Sequence, residues 1–373
     1  MNSDGHNMRG SEWLRYRLSV LSRLEGYTKP ERKLKHQPQQ HQPQILRMDT
    51  NENLALPLEF VRAVMYEVVE DLDPRLYPEQ QDELRSRVAS YLGLSKDNIA
   101  IGNGSDQLID LALVAFGYGH KSVTLRPTFT FYRDRCLIHG IDVEEVTLDD
   151  GFSFSADAIV KSDADICYIC SPNNPTGNQF SRDIMLDVIE RFDGLIMLDE
   201  AYAEFAGYSL KDLAVKRDNL LIFRTFSKAF GLAGARVGYA IACREIIDAF
   251  NRVIQYPYAV SSISLNAAIS ILKRVEEVKR VIEEVKAERE WLYRELGMLG
   301  LRVFRSDANF ILFDVDEHEN MYRRLKDEEG ILVRRIGQIG GYKGCLRVTV
   351  GTRDMNERFL NGLGKRIRNS NNK

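Results

Sequence analysis

The chain has 373 residues, of which 44% are hydrophobic and 28% are charged, and its net charge is −3 at pH 7. This composition is typical of a globular protein, and the length predicts roughly two domains. Because there is no excess of basic residues, the composition argues against a nucleic-acid or anionic-membrane partner. It favours a small molecule or another protein.

Residues 1–44 differ in composition from the rest and are predicted to form an arm and a linker. A short helix is predicted from apolar residues that share one face, namely Trp13, Tyr16, Leu18, Leu21 and Leu24. The Gln- and Pro-rich stretch 35–44 is predicted to be extended. No secretory pattern is present and no stretch of ~18 residues is apolar enough to span a membrane, so we expect a cytoplasmic protein.

Five cysteines are scattered along the chain, which does not suit a disulfide framework and favours a reducing cytosol. Cys167 and Cys170 form a CxxC pair inside an apolar run that is predicted to be a buried strand. Residues three apart on a strand face opposite sides, so these two thiols are expected to diverge. We therefore predict no metal site.

From about residue 57 onward, short apolar runs alternate with segments of helical periodicity. The predicted strands are Ile99–Ile101, Ser122–Leu125, Val143–Val146, Ile166–Cys170, Leu195–Leu198, Leu221–Phe223 and Val237–Ala242. The predicted helices between them include Asp82–Leu92, Asp106–Phe116, Arg182–Phe192 and Arg244–Val253. This alternation indicates an α/β fold with a mostly parallel, doubly wound sheet.

The pattern changes near Ser270, where apolar residues at helical spacing predict one long helix that ends at Leu299. Short predicted strands follow at Asn309–Phe313, Ile331–Val333 and Cys345–Val350. This α+β pattern indicates a smaller second domain, which the long helix connects to the first. The predicted division is a large domain at 57–270 and a small domain formed by 45–56 and 271–373.

Two motifs with stiff or flexible backbones follow predicted strands, where parallel sheets bind ligands. GNGSDQ (102–107) places glycines and Ser105 before a helix whose N-terminal N–H groups favour a phosphate. It lacks the third glycine of a dinucleotide motif, so one phosphate fits better than a pyrophosphate. SPNNPTG (171–177) displays Asn173 or Asn174 on a stiff loop, although an ordinary turn fits the same residues.

Two further motifs carry charged residues after predicted strands. LDEAY (198–202) places Asp199 at a strand end, as in the magnesium site of P-loop NTPases, but the chain has no GxxxxGK[ST], HExxH or GxSxG motif. Asp199 is therefore expected to pair with a cation. RTFSKAFGLAGARVG (224–238) contains Lys228, which suits an amine nucleophile beside a phosphate anchor. An exposed loop lysine is the alternative, and this motif alone does not decide.

In this order, the four motifs resemble those of the fold-type I pyridoxal-phosphate enzymes, the class I and II aminotransferases, and most closely the histidinol-phosphate aminotransferases. The resemblance runs from about residue 45 to the C-terminus. It includes the further motifs NEN (51–53), LYPE (76–79), RPTF (126–129), SDANF (306–310) and CLRVTVGTR (345–353). It implies pyridoxal 5'-phosphate as the cofactor and a homodimer with a shared active site.

The resemblance also implies a role for each matching cofactor residue. Lys228 would carry the cofactor covalently, and Asp199 would face its pyridine nitrogen. Tyr202 and Asn174 would bond the phenolic oxygen, and Phe129 would stack on the ring. The phosphate would be held by Gly104, Ser105, Asp106, Thr225, Ser227, Arg236 and, from the neighbouring subunit, Tyr77.

The substrate side is implied by the same resemblance. Arg347 would bind an anionic group of the substrate with Arg334 as a second cation, and Asn53 and Asn309 lie in matching motifs. We expect an aminotransferase with glutamate as donor, and histidinol phosphate is the first candidate for its partner substrate. The chain departs from the pattern at 54–56, where Leu-Ala-Leu replaces the usual Pro and aromatic residue, and at Gln107, where relatives often have Glu.

Three alternatives follow from the same motifs. A decarboxylase similar to threonine-phosphate decarboxylase would use the same arginines for a phosphate. An aromatic amino acid aminotransferase is the fallback, because Leu54 and Ala55 leave a gap where relatives have an aromatic residue. The effector domain of a transcription regulator has little support, because residues 1–44 are too short and too Gln/Pro-rich for a helix-turn-helix fold.

Overall fold

Two β-sheets with surrounding helices make up the described part of the chain, residues 11–22, 24 and 45–370, in this computed structural model. The strands are β1 (Leu46–Met48), β2 (Ile99–Gly102), β3 (Lys121–Arg126), β4 (Asp142–Thr147), β5 (Ile166–Cys170), β6 (Leu195–Asp199), β7 (Leu220–Thr225), β8 (Gly238–Ile241), β9 (Arg302–Val303), β10 (Phe310–Asp314), β11 (Ile331–Ile339) and β12 (Tyr342–Thr349). The helices are α1 (Ser11–Ser22), α2 (Leu58–Glu70), α3 (Gln81–Leu92), α4 (Ser105–Phe116), α5 (Thr130–His139), α6 (Ala156–Val160), α7 (Arg182–Arg191), α8 (Lys211–Ala214), α9 (Arg244–Ala249), α10 (Ser262–Lys273), α11 (Val275–Met298), α12 (His318–Asp327) and α13 (Arg353–Ser370).

The larger sheet has seven strands in the order β2-β8-β7-β6-β5-β3-β4. All neighbouring pairs in the row β7-β6-β5-β3-β4 are parallel. Strand β8 runs antiparallel to both β7 and β2. This arrangement confirms the predicted α/β fold with a mostly parallel sheet. The seven strands predicted for it are confirmed to within two residues at each end.

The central strands are apolar on both faces because helices cover both faces of the sheet. In β5 all five residues are buried. Cys167 belongs to the apolar cluster on one face, and Cys170 belongs to the cluster on the other. The prediction that these two thiols diverge is therefore confirmed, and both are free.

The smaller sheet has five strands in the order β1-β11-β12-β10-β9. Its outer strand β1 comes from far earlier in the chain and pairs in parallel with β11, with Leu46 opposite Ile331. The remaining pairs are antiparallel. Residues that follow β1 are thereby placed next to a sheet built almost entirely from residues beyond 300.

The prediction of one helix from Ser270 to Leu299 is wrong, because the helix is interrupted at Arg274, where φ is −115° and ψ is 29°. Helix α10 packs against α2 and α3, and nearly every side of it is buried, whereas α11 buries a single stripe. One straight helix cannot satisfy both packing patterns. The guanidinium of Arg274 stabilises the break through Ser270 Oγ at 2.9 Å and the carboxylate of Glu67. The division into domains stays a prediction.

The predicted N-terminal helix is confirmed as α1, while the predicted linker at 35–44 lies outside the described residues. On α1, Leu14, Leu18 and Leu21 are exposed, and Arg17 contacts the backbone oxygen of Ile138 on α5. None of the helices in the described ranges combines the length and apolarity that a bilayer crossing requires.

Candidate active site

The four motifs meet at one edge of the seven-stranded sheet. Strands β2, β5, β6 and β7 point in the same direction, so the loops that follow them lie side by side. Cys170 at the end of β5 is the register partner of Asp199 at the end of β6, which in turn pairs with Phe223 on β7. Residues far apart in sequence therefore form one cluster at the carboxyl ends of the strands.

Lys228 lies three residues beyond the end of β7, and its side chain is half-buried. Its Nζ donates a hydrogen bond to the backbone oxygen of Thr50 at 3.0 Å and lies 5.7 Å from the centre of the Tyr202 ring. Burial, together with the positive charge of Arg347, lowers the pKa of this amine to about 8. About one tenth of the amine is therefore neutral and nucleophilic at pH 7, far more than for an ordinary lysine.

Asp199 is the last residue of β6, and it is 3% exposed. Its Oδ2 accepts a hydrogen bond from the Tyr168 hydroxyl at 2.8 Å, and its Oδ1 accepts one from the backbone N–H of Ala201 at 3.0 Å. Burial raises the pKa of this carboxyl to about 6, although both hydrogen bonds act against the rise. A cationic partner would complete its stabilisation as a carboxylate.

Tyr202 is held by Asn51, a residue that sequence reasoning missed. Asn51 Nδ2 donates to the Tyr202 hydroxyl at 2.9 Å, and both residues are buried. Because the hydroxyl oxygen accepts this bond, its proton remains available for a ligand. The sequence signal was the residue type, since Asn51 has φ 57° and asparagine tolerates that left-handed conformation better than most residues.

The loop after β5 distinguishes the two candidate asparagines. Asn173 is fully buried and is used within its own surroundings, bonding Thr128 Oγ1, Thr176 Oγ1 and the backbone oxygen of Pro127. Asn174 instead accepts a hydrogen bond from the Arg347 guanidinium. The geometry therefore places Asn174, rather than Asn173, beside the other site residues.

The start of α4 forms a close-fitting cup with β8. Gly104 precedes the helix with φ 79°, and Ser105 begins it. A Cβ on Gly238 would lie 2.3 Å from the backbone nitrogen of Ser105, so only glycine allows this approach. The helix N-terminus is thereby brought against the loop that carries Lys228.

Arg236 supplies positive charge to the same cup. Its guanidinium donates to Ser227 Oγ at 3.2 Å and to Asp106 Oδ2 at 2.9 Å. Ser227 in turn donates its backbone N–H to Thr225 Oγ1 at 3.1 Å. Hydroxyls, a helix N-terminus and a guanidinium converge here, which is the donor set that a phosphate prefers.

The opposite wall carries the two predicted substrate arginines. Arg334 on β11 and Arg347 on β12 are register partners, so their side chains share one face of the smaller sheet. The buried guanidinium of Arg347 also donates to the backbone oxygen of Asp49 at 3.0 Å and lies 5.0 Å above the Phe310 ring. Two arginines thus lie on one face of this sheet, and one of them, Arg347, is bonded to Asn174.

The two remaining predicted substrate residues differ in how much of each amide is used. Asn53 donates to the backbone oxygen of Ala229 at 2.8 Å and accepts from the N–H of Ala55 at 3.2 Å, so it ties down the lysine loop. Asn309 donates to the backbone oxygen of Asn51 at 3.0 Å. Its Oδ1 is buried and has no hydrogen-bond partner within the described residues.

Two predicted aromatic contacts lie nearer the surface. Phe129, just before α5, is half-buried and stacks on Phe131 with ring centroids 5.6 Å apart. Tyr77 is 74% exposed and stacks on Tyr258 at 4.6 Å. The roles proposed for both rings stay predictions.

Comparison with known proteins gives a consistent assignment. The sequence model of the family described as aminotransferase class I and II matches residues 43–363. A histidinol-phosphate aminotransferase of Ruminiclostridium cellulolyticum is 39% identical over 333 residues, covering 86% of this chain and 92% of that protein.

Solved structures share the fold. The crystal structure of histidinol-phosphate aminotransferase from Sinorhizobium meliloti in complex with pyridoxal-5'-phosphate has a TM-score of 0.80 at 24% identity, covering 88% of this chain and 92% of that one. L-threonine-O-3-phosphate decarboxylase from Porphyromonas gingivalis has a TM-score of 0.74 at 23% identity, covering 87% of this chain and all of that one. Because both activities occur on this fold, the fold alone does not separate them.

Proposed function

We propose that this chain, which belongs to the class I and II aminotransferase family and is a pyridoxal-phosphate-dependent transaminase, transfers an amino group between histidinol phosphate and 2-oxoglutarate. The observation that supports this choice of substrate is the register pair of Arg334 and Arg347. Two arginines at neighbouring positions on one face can together provide charge-assisted bonds for a phosphate and a carboxylate. The identity of 39% to a relative of that name supports the same choice.

The residues present fit the cofactor. The cup at the start of α4 offers N–H groups, Ser227 and Arg236 to one phosphate. The buried Asp199 carboxylate needs a cation, which a protonated ring nitrogen provides. Lys228 supplies an amine with a lowered pKa, and Phe129 offers an aromatic face.

The mechanism assigns each step to a side chain of this protein. Pyridoxal phosphate, when bound, supplies the electron sink that makes the substrate Cα–H acidic. The Lys228 amine would take the proton from the substrate Cα and would deliver it to the carbonyl-derived carbon of the cofactor, because its lowered pKa suits proton transfer in both directions. Asp199 would hold the compensating negative charge, and Tyr202 and Asn174 would bond the phenolic oxygen of the cofactor.

The substrate is oriented from the smaller sheet. Arg347 binds the α-carboxylate of glutamate, and it is held for this by Asn174 and the backbone oxygen of Asp49. With histidinol phosphate, Arg334 and Arg347 together bind the phosphate. Asn309 presents its Oδ1, which has no hydrogen-bond partner among the described residues, and Asn53 holds the lysine loop in place.

A homodimer with a shared active site completes the proposal. Support comes from the exposed stack of Tyr77 and Tyr258, which places two large aromatic side chains at the surface. Tyr77 then reaches the cofactor phosphate of the partner subunit. We place the enzyme in the cytoplasm, which the buried free thiols support.

Subunit mixing tests the shared site. Lys228→Ala and Tyr77→Ala chains are each expected to be inactive, and their mixture should regain activity because one site of each heterodimer is intact. If mass spectrometry detects subunit exchange in the mixture but the mixture stays inactive, the shared site is contradicted.

Half-reaction spectra test the reaction and the substrate. Holoenzyme is mixed with glutamate, histidinol phosphate, threonine phosphate or phenylalanine, and the change in cofactor absorbance is followed. Rapid conversion by histidinol phosphate, with 2-oxoglutarate restoring the starting spectrum, is the expected result. Release of CO₂ from threonine phosphate without use of a keto acid would instead establish a decarboxylase, and conversion by phenylalanine alone an aromatic aminotransferase.

A further inference from the structure

Tyr168 contacts Asp199 from inside the seven-stranded sheet, and no sequence motif indicated this contact. It lies in the middle of β5, two residues before Cys170, which is the register partner of Asp199. Side chains at such diagonal positions on one face are within reach of an aromatic residue. The Tyr168 hydroxyl accordingly donates to Asp199 Oδ2 at 2.8 Å.

The Tyr168 ring is fixed by its surroundings. It stacks on Tyr132 of α5 with ring centroids 4.0 Å apart and planes 8° apart. The Tyr132 hydroxyl lies 2.6 Å from Ser122 Oγ on β3, and both tyrosines are fully buried. Because the ring is enclosed between the sheet and a helix, its hydroxyl cannot turn away from Asp199 without disturbing close packing.

The electrostatics of the pair have a definite direction. Burial and the neighbouring Asp199 charge raise the pKa of Tyr168 well above its ordinary value, so the hydroxyl keeps its proton and stays a donor. Burial raises the pKa of Asp199, and the Tyr168 hydrogen bond is the largest effect that opposes this rise. The hydroxyl therefore favours the ionised carboxylate.

We infer that Tyr168 is a positioning residue for transamination, which holds the Asp199 carboxylate ionised and aimed at the ring nitrogen of the cofactor. This inference rests on the proposed role of Asp199. Tyr168 fixes Oδ2, while the N–H of Ala201 fixes Oδ1, so the carboxylate has one orientation before the cofactor arrives. Such preorganisation strengthens cofactor binding.

The stack offers a matched pair of variants. Tyr168→Phe removes the hydroxyl that bonds Asp199 and keeps the ring. Tyr132→Phe removes a hydroxyl that is equally buried in the same stack but bonds Ser122 instead. For each variant, the dissociation constant of pyridoxal phosphate is measured by equilibrium dialysis of the apoenzyme between pH 5 and 8, and the thermal midpoint of the apoenzyme is measured alongside.

Tyr168→Phe is expected to weaken pyridoxal phosphate binding about tenfold or more at pH 7, as expected for loss of a hydrogen bond to a charged group. The pH below which binding weakens should also rise. Tyr132→Phe should change the dissociation constant by no more than about twofold and should leave that pH where it is in the wild type. In an Asp199→Ala background, Tyr168→Phe should add no further loss of affinity.

Equal losses in the two Phe variants would overturn the inference, because the stack rather than the hydroxyl would then be responsible. It would also be overturned if Asp199→Ala weakened binding and Tyr168→Phe did not. If Asp199→Ala itself left the affinity unchanged, the proposed role of Asp199 would fail, which is a separate result.

Discussion

The two walls of the site are held together by different kinds of contact. The cofactor wall carries Asp199, Tyr202 and Lys228 within three residues of the ends of β6 and β7, which are hydrogen-bonded neighbours. The substrate wall carries Arg347, whose guanidinium bonds the backbone oxygen of Asp49, 298 residues earlier in the chain. The first wall depends on strand pairing within one sheet, whereas the second depends on a segment that arrives from elsewhere.

Segment 49–51 joins the two walls. Its three backbone oxygens each accept a hydrogen bond from a site side chain: Arg347 at Asp49, Lys228 at Thr50 and Asn309 at Asn51. The chemical groups are therefore placed locally, while their alignment with the substrate arginines depends on this segment. Changes on the cofactor wall should therefore abolish chemistry, and changes around the segment should lower it gradually.

The largest effect is expected for Lys228→Ala on the cofactor wall. Turnover should fall by about 10⁴-fold or more, the upper end for loss of one acid–base group. Wild-type protein treated with borohydride should carry the pyridoxyl group on Lys228 by peptide mass spectrometry, and the variant should not. A pyridoxyl group on any other lysine of the wild type would refute the assignment.

On the substrate wall, the two arginines should separate the two half-reactions. Arg347→Ala should slow both by about 10²-fold, because each charge-assisted bond contributes roughly 1.5–3 kcal/mol. Arg334→Ala should slow the half-reaction with histidinol phosphate by a similar factor and the half-reaction with glutamate by much less, both measured as single-turnover rates. Equal losses for both substrates in Arg334→Ala would remove the case for a phosphorylated substrate.

A smaller effect is expected where the joining segment meets the cofactor wall. Asn51→Gly keeps the positive φ but removes the amide that bonds the Tyr202 hydroxyl, so kcat should fall by about tenfold or less. In a Tyr202→Phe background, the same substitution should have little additional effect. Additive losses in the double variant would show that Asn51 acts through another contact.

The smallest effect is a pH dependence of cofactor attachment. The pKa of Lys228 is lowered to about 8, so its neutral, nucleophilic fraction increases as pH rises through that value. From pH 7 to pH 8 the rate of covalent attachment to the apoenzyme should increase roughly fivefold. Asp199, with a pKa of about 6, is already ionised in this range and should not contribute. A rate that is independent of pH there would contradict the lowered lysine pKa.

The seven-stranded sheet was predicted well because its strands are continuous apolar runs between turn residues. The same reasoning failed at Arg274, where helical periodicity continues across a break that only packing against α2 and α3 requires. It also missed β1, since a strand of three residues has too little pattern to recognise.

The candidate site divides in the same way. Lys228, Asp199 and the glycine-containing cup were predicted because each follows a strand within a recognisable motif. Asn51 and Tyr168 were missed, since a left-handed backbone conformation places the Asn51 amide against Tyr202, and Tyr168 acts from within an apolar strand. The loop motif by itself left Asn173 and Asn174 open, the family resemblance implied Asn174, and the contact of Asn174 with Arg347 favours the same residue.

By itself, the sequence determined the α/β fold and the family resemblance. It also determined which residue types could bind a phosphate, pair with a cation or act as an amine nucleophile. These follow from local patterns, because strand ends and turn residues are encoded over a few positions. The tertiary structure decided that residues 49–51 contact Lys228 and Arg347, that Arg334 lies opposite Arg347, and that Tyr168 holds Asp199. Such contacts depend on strand register and on packing between distant segments, and no local pattern encodes either.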